Sequence, residues 1–349
     1  AYWVSAGNAI AYSMTDHNVD EYCVIGWMDN TGSTIVSRVD IYTDEYDNTT
    51  VMESGDDYYF NGPSVAAYFD DIFVSTSVDW SDTYTDVALT FSSDNGATWG
   101  ADYEWYYWID DYDIPDNAPV CTFGSDGTLG FMWLKGSSIF YRTNNSQYWL
   151  SDWSMETLVD NDVEDNWSTA CVISGDVFHA AYDEGESGNI YYEQLSLEPV
   201  ESFGEYVNDG YYPQVSLAEN GDIYVAFSEY DENISDYLII GVYKSADGGG
   251  SWNRHSYVYD TGEHLEGPDI EVLEDRYIIT FKSGVSMYAG FVKLNDISDY
   301  LFTALGTVDD DAYGSIVSDK SYYGLDLTYT YVTYIVDESS GTNIYYSSS

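Results

Sequence analysis

Basic side chains are what this chain has least of. Nine Lys and Arg stand against 62 Asp and Glu in 349 residues, a formal net charge of −53. Phosphate binding needs a basic surface, so nucleic acid is excluded as a partner. Cysteine is also scarce: Cys23, Cys121 and Cys171 show neither CxxC nor metal-ligand spacing. They read as small buried apolar residues, with a Cys121–Cys171 disulfide left open because the two fall at matching places in neighbouring repeats. No apolar run approaches the roughly 20 residues that span a bilayer, which excludes membrane insertion. Neither a signal peptide nor an initial Met is present. A mature N-terminus left by export would account for Ala1, as would a trimmed chain, and an extracellular or cell-surface location is the expectation.

What the chain has in excess is aromatic rings and carboxylates. Aromatics make up 18% of the sequence, with 38 Tyr and 11 Trp, whereas Pro is limited to six. That balance favours strands around a large core over disorder. Uncompensated carboxylates repel one another unless salt or bound cations screen them, and the screening length falls from about 10 Å at 0.1 M salt to about 3 Å at 1 M. A salty or cation-rich medium is therefore expected.

A repeat runs through the chain. A small residue or Pro introduces a first strand, a polar turn follows, and further alternating strands come after it. The first-strand anchors are Ala9-Ile10, Pro63-Ser64-Val65, Pro119-Val120, Ala170-Cys171, Pro213-Gln214-Val215, Pro268-Asp269-Ile270 and Ser315-Ile316. Their spacing suits one four-stranded propeller blade each. Blade five shows the pattern best: Val215 to Ala218, an Asn220-Gly221 hairpin turn, Ile223 to Phe227, Leu238 to Tyr243, and a last strand around His255 to Tyr259. The fold expected is all-β: a single seven-bladed β-propeller of four-stranded antiparallel blades. The blades are bounded at about 8–60, 61–117, 118–164, 165–210, 211–264, 265–312, and 313–349 joined by 1–7. The last blade stops after its third strand, and Tyr2-Trp3-Val4-Ser5 is expected to supply the fourth and close the ring.

Two of the turns between third and fourth strands carry a motif. Ser92-Ser93-Asp94-Asn95-Gly96-Ala97-Thr98-Trp99 reads Ser-x-Asp-x-Gly-x-Thr-Trp, and Ser245-Ala246-Asp247-Gly248-Gly249-Gly250-Ser251-Trp252 differs only in placing Ser for Thr. On these residues the chain resembles the Asp-box (BNR-repeat) propellers of the sialidase-like fold. Ser92, Asp94, Gly96, Thr98 and Trp99, with Ser245, Asp247, Gly249, Ser251 and Trp252, are expected to be structural. Asp and Ser cap turn amides, Gly permits positive φ, and Trp packs into the blade. Similar propellers include sialidases, xyloglucan-cleaving hydrolases, sortilin-like receptors and pure scaffolds, so the box speaks for fold rather than function.

The sialidase resemblance implies three arginines converging on a substrate carboxylate. Only Arg38, Arg142, Arg254 and Arg276 exist here. Arg38 and Arg142 are expected in third strands, Arg254 in a fourth strand beside an Asp-box, and Arg276 in a first-to-second-strand turn. The family's arginines lie on the opposite face, where fourth-to-first-strand connections run, and the Arg-Ile-Pro-type motif is missing. A glycoside hydrolase needs only two carboxylates, about 5–5.5 Å apart for retention or 6.5–9.5 Å for inversion. No catalytic residue is assigned.

Acidic residues gather in the connections leading into first strands. Asp110, Asp111, Asp113 and Asp116, with Asp160, Asp162 and Asp165, are the expected ligands of a hard cation such as Ca²⁺, which takes six to eight oxygens. Tyr58, Tyr59, Tyr211 and Tyr212 precede first-strand anchors on the same face and are the expected ligand-binding aromatics. The resulting reading is an exported, non-catalytic propeller for binding or assembly, whose partner is a glycan, a surface protein or another copy of itself. A carbohydrate-active hydrolase or lyase on the same propeller is the alternative, and a surface-layer or sheath subunit is the second.

Overall fold

The computed structural model describes every residue except 1–9, 15–20, 29–32, 41–45, 55–57, 81–84, 101–106, 110–115, 125, 145–156, 161–168, 175–176, 185–187, 197–204, 235–236, 261, 308–313, 319–329, 339–340 and 349. The described residues are all-β. Each sheet is an antiparallel meander of consecutive strands, as expected where hairpin turns follow alternating segments.

By internal contacts the chain divides into two compact units, residues 1–163 with 173–178 and 195–202, and the remainder. The first unit holds three four-stranded sheets: β1 (Ile10–Met14), β2 (Glu21–Met28), β3 (Thr34–Asp40) and β4 (Tyr46–Met52); β5 (Tyr58–Tyr68), β6 (Asp71–Trp80), β7 (Thr85–Ser92) and β8 (Tyr107–Ile109); β9 (Asp116–Phe123), β10 (Leu129–Lys135), β11 (Ser138–Asn144) and β12 (Thr157–Asp160). A fourth such sheet comprises β13 (Thr169–Ser174), β14 (Val177–Glu184), β15 (Asn189–Ser196) and β16 (Glu205–Asp209), with β13, β14 and the end of β15 divided between the units. The second unit adds β17 (Tyr211–Leu217), β18 (Ile223–Tyr230), β19 (Leu238–Ser245) and β20 (Asn253–Val258); β21 (Leu265–Val272), β22 (Arg276–Ser283), β23 (Ser286–Lys293) and β24 (Tyr300–Thr307); and the three-stranded β25 (Gly314–Ser318), β26 (Thr330–Glu338) and β27 (Gly341–Ser348).

Burial explains the apolar runs of the middle strands. Ile223 through Glu229 in β18 are all buried, on both faces of the strand, whereas β20 and β24 at the sheet edges are largely exposed. A strand covered on both faces reads as continuous apolar sequence rather than as alternation. In the first unit Val24, Val36, Val65, Ile72 and Val74 share one core cluster, which Trp99 joins. In the second, Ile190, Tyr192, Val225, Phe227 and Tyr243 share another, against which Trp252 packs.

First strands begin earlier than their proline anchors, because each contains a break. Pairing shifts register between Asn61 and Ser64, between Tyr211 and Gln214, and between Glu266 and Asp269, and β9 shifts between Asn117 and Val120. Pro63, Pro213, Pro268 and Pro119 sit inside these four breaks. Proline has no N–H for a ladder, and a bulge is where a strand tolerates that. Tyr58, Tyr59, Tyr211 and Tyr212, expected in connections, therefore lie within β5 and β17. Arg276, expected in a turn, is the first residue of β22.

Candidate functional site

Both Asp-boxes form the turn expected of them. Ser92 Oγ donates to Asp94 Oδ1 at 2.8 Å and accepts from Gly96 N at 2.7 Å, while Thr98 donates to Asp94 from its backbone N and its Oγ1. Ser245, Asp247, Gly249 and Ser251 repeat this bond for bond, with Ser251 Oγ donating to Asp247 Oδ2 at 2.6 Å in the place of Thr98. Burial works against ionisation of Asp94, but its bonds from Thr98 and Ser92 outweigh it and hold the carboxyl below the usual range. For Asp247 the Ser251 hydroxyl is the leading cause of the same shift. The boxes differ at tryptophan: Trp99 Nε1 donates to Gly96 O at 3.1 Å, whereas Trp252 Nε1 is buried with no partner among the described residues.

In each four-strand meander the first-to-second and third-to-fourth turns share one end, and the other two connections share the opposite end. The candidate site lies at that opposite end, around the break in β17. Tyr212 there has φ 58°, in the left-handed region, as do Gly62 at 59° and Gly267 at 55°. All three immediately precede the strand's proline. Glycine takes this conformation without cost; a tyrosine does not. The Tyr212 N–H faces Asp183 Oδ2 at 3.4 Å, and Asp183 is fully buried at the end of β14. Tyr211 beside it is 40% exposed, its hydroxyl against Gly188, and Tyr206, 48% exposed, donates to Asp209 Oδ1 at 2.7 Å. Exposed phenol rings thus stand beside a carboxylate.

Next to this edge, Tyr211 pairs with Ser228, and Glu229 follows. Glu229 is buried and gathers side chains from two sheets. Tyr243 Oη donates to Glu229 Oε2 at 2.9 Å, and Asn208 Nδ2 donates to the same oxygen at 2.8 Å. Arg254 Nη2 lies 3.0 Å from Glu229 Oε1, its Nη1 donates to Asp231 Oδ2 at 2.8 Å, and its Nε donates to Tyr243 Oη at 3.1 Å. Burial pushes the Glu229 carboxyl above its ordinary range despite these donors, while hydrogen bonds led by Arg254 hold Asp231 below its own. The network is possible because residue 241 is glycine: a Cβ there would lie 2.4 Å from Glu229 Oε1.

The sequence placed Arg254 correctly beside the Asp-box, but its guanidinium leans the other way, over the Tyr243 ring towards Glu229 and Asp231. That constellation was missed. Its one sequence signal is Glu229 as the single charged residue of β18.

Of the expected cation ligands, Asp110, Asp111, Asp113, Asp162 and Asp165 lie outside the described residues. Asp116 opens β9 and Asp160 closes β12, half-buried. Among the described residues no three His, Cys, Asp or Glu side chains converge as a metal site. Tyr58 and Tyr59 pair with Trp80 and Asp79 across β5 and β6. Cys121 and Cys171 are buried thiols, neither of them cross-linked. Burial raises the Cys121 pKa to about 11. Among the described residues no helix is long and apolar enough to cross a membrane.

No protein-family model matches the chain, and no curated protein sequence matches it. Solved structures do. A polysaccharide lyase of family PL25, an ulvan lyase bound to -[GlcA(1-4)Rha3S]-, matches with TM-score 0.56 at 11% identity over 99% of this chain and 94% of its own. The polysaccharide lyase Uly1 matches with TM-score 0.54 at 10% identity, covering 98% and 89%. Trypanosoma rangeli sialidase matches with TM-score 0.50 at 8% identity, covering 86% of this chain and 55% of that one. These neighbours are carbohydrate-active enzymes on propeller folds. At such identities the likeness is one of fold, and the antiparallel meanders described above fit a propeller.

Proposed function

We propose that the chain is an exported, seven-bladed Asp-box propeller that binds a glycan, without cleaving it, at the end where Tyr211 and Tyr212 lie. The observation carrying this reading is Tyr212 at φ 58° in the place that Gly62 and Gly267 take elsewhere. A non-glycine residue in such a conformation costs about 1–3 kcal/mol and persists where surroundings over-determine it, commonly at ligand sites. Flat phenol rings stack on sugar faces, and the Asp209 and Asp231 carboxylates accept sugar hydroxyls. The net charge of −53 favours a neutral or amino-bearing glycan. Isothermal titration against neutral and amino polysaccharides tests this. Tyr211→Ala is expected to weaken binding about tenfold, or about 1.4 kcal/mol. Tyr212→Gly is expected to lose binding while gaining stability. Undiminished binding by Tyr212→Gly sinks the reading.

A carbohydrate-active enzyme is the second reading, favoured by the Glu229 carboxyl held protonatable against Tyr243 with Asp231 on the same arginine. There Glu229 would be the proton donor. Sugar fragments released by the wild type and not by Glu229→Gln would replace the binding reading with this one.

Two structural parts belong to the same proposal. The fourth strand beside β27 is assigned to Tyr2-Trp3-Val4-Ser5, which lie outside the described residues, and removal of residues 1–7 is then expected to lower the melting temperature. The carboxylates of Asp110, Asp111, Asp113, Asp116, Asp160, Asp162 and Asp165 are the proposed Ca²⁺ ligands, Asp116 from the start of β9 and Asp160 from the end of β12. Millimolar Ca²⁺ should then raise the melting temperature beyond the effect of NaCl at equal ionic strength, and a chelator should reverse it.

A further inference from the structure

The outer strands of the four-stranded sheets are guarded in the ways sheet edges usually are. Edges offer unpaired N–H and C=O groups to other chains, and short length or charge blocks them. β8 has three residues and β12 has four, ending in Asp160; β4 carries Asp47, β16 carries Glu205 and Asp209, and β20 carries Arg254. β24 is the exception: Tyr-Leu-Phe-Thr-Ala-Leu-Gly-Thr, eight residues without a charge, in a chain of net charge −53. Tyr300 and Leu301 are 60% and 58% exposed, and Ile297 just before them is 50% exposed. Phe302 points inward, 5.4 Å from the Phe281 ring, which anchors the strand to its own sheet, and among the described residues no strand pairs with its outer edge. Its ladder to β23 shifts register between Met287 and Tyr288, which leaves Tyr300–Ala304 as the regular stretch.

We propose that β24 pairs with β24 of a second copy of this chain, antiparallel about a two-fold axis. The charge distribution selects that occupant. Two polyanions meeting elsewhere press carboxylates together, whereas this strand brings none. The carboxylates leading into it are already engaged: Asp299 forms an ion pair with Lys293, and Asp296 accepts from Ser298 Oγ and N. A two-fold contact uses the same patch on both copies and closes at a dimer instead of running on into a fibre. The net charge of −53 on each copy opposes the pairing until salt screens it, which makes the dimer a high-salt form.

Sedimentation velocity of the full chain is the test. A dimer is expected in about 2 M NaCl and a monomer in about 0.1 M, where the screening length is about 10 Å. Leu301→Glu and Thr303→Glu should each weaken the dimer at least tenfold, while Tyr257→Glu on the β20 edge leaves it unchanged. Hydrogen exchange of the wild type needs no variant: in about 2 M salt, amides of residues 300–304 should slow as protein concentration rises. A monomer at every salt concentration overturns the proposal. So does a dimer whose 300–304 amides exchange equally at low and high concentration.

Discussion

Gly249 of the second Asp-box stands against the ring of Tyr192 on β15: a Cβ at residue 249 would lie 2.3 Å from Tyr192 Cε1. The first box docks the same way. A Cβ on Gly96 would meet Arg38 Cδ at 3.0 Å, and Arg38 on β3 donates to Asn95 O. In each case the box belongs to one sheet and the receiving side chain to the third strand of the sheet before it. The motif's glycine therefore permits both a left-handed turn and a close inter-sheet contact.

Gly249→Ala should destabilise the fold by about 3 kcal/mol, combining backbone strain at φ 97° with overpacking against a buried ring. Gly221→Ala is the control. Its φ is 85° but nothing lies within 4 Å of a Cβ there, so about 1 kcal/mol is expected. Chemical denaturation of both variants measures the difference, and equal losses would show that the Tyr192 contact carries no weight.

The Asp-box carboxylates predict an acid-sensitive contribution. Asp247 is held below 3.8 by Ser251 and Ser245, so the folded state binds its proton more weakly than the unfolded state. Its stabilisation is full above that value and fades as pH falls through the lower, folded one. The gap between wild type and Asp247→Asn should be widest at neutral pH and close in strong acid, read from melting temperatures across pH.

His179 Nδ1 and Tyr192 Oη lie 2.6 Å apart in the core, and burial lowers the histidine pKa from 6.5 to about 4. Folded His179 stays neutral while the unfolded chain takes up a proton. Stability therefore drops as pH falls from 6.5 towards 4, by up to about 3 kcal/mol for that shift. His179→Gln should flatten this slope. A variant with the wild-type slope would place the acid loss elsewhere.

Glu229 has the opposite sign. Its pKa is raised above 4.5 by burial, so its ionisation costs stability as pH rises through the folded value. Glu229→Gln should gain on the wild type between pH 4.5 and neutrality. Gly241→Ala, which puts a methyl onto the carboxylate, should lose about 1–3 kcal/mol and remove that pH dependence.

The sequence alone determined the strand grammar, because its signals are local. Asn220-Gly221 makes its own hairpin, Pro63, Pro119, Pro213 and Pro268 mark positions that cannot join a ladder, and each Asp-box closes its turn with bonds inside eight residues. The aromatic pair Tyr211-Tyr212 was legible as a candidate from its place before the proline. Tertiary structure decided what those residues meet. Tyr212's left-handed backbone depends on a bulge opposite β18 and on Asp183 from another sheet. Arg254 was assigned to the Asp-box end by its backbone, yet its long side chain carries the charge towards Glu229 and Asp231. Glu229 in turn has room only because a neighbouring strand places Gly241 beside it. A periodicity reports which face a residue takes, but not how far a flexible side chain reaches or which strand of the next sheet comes to meet it.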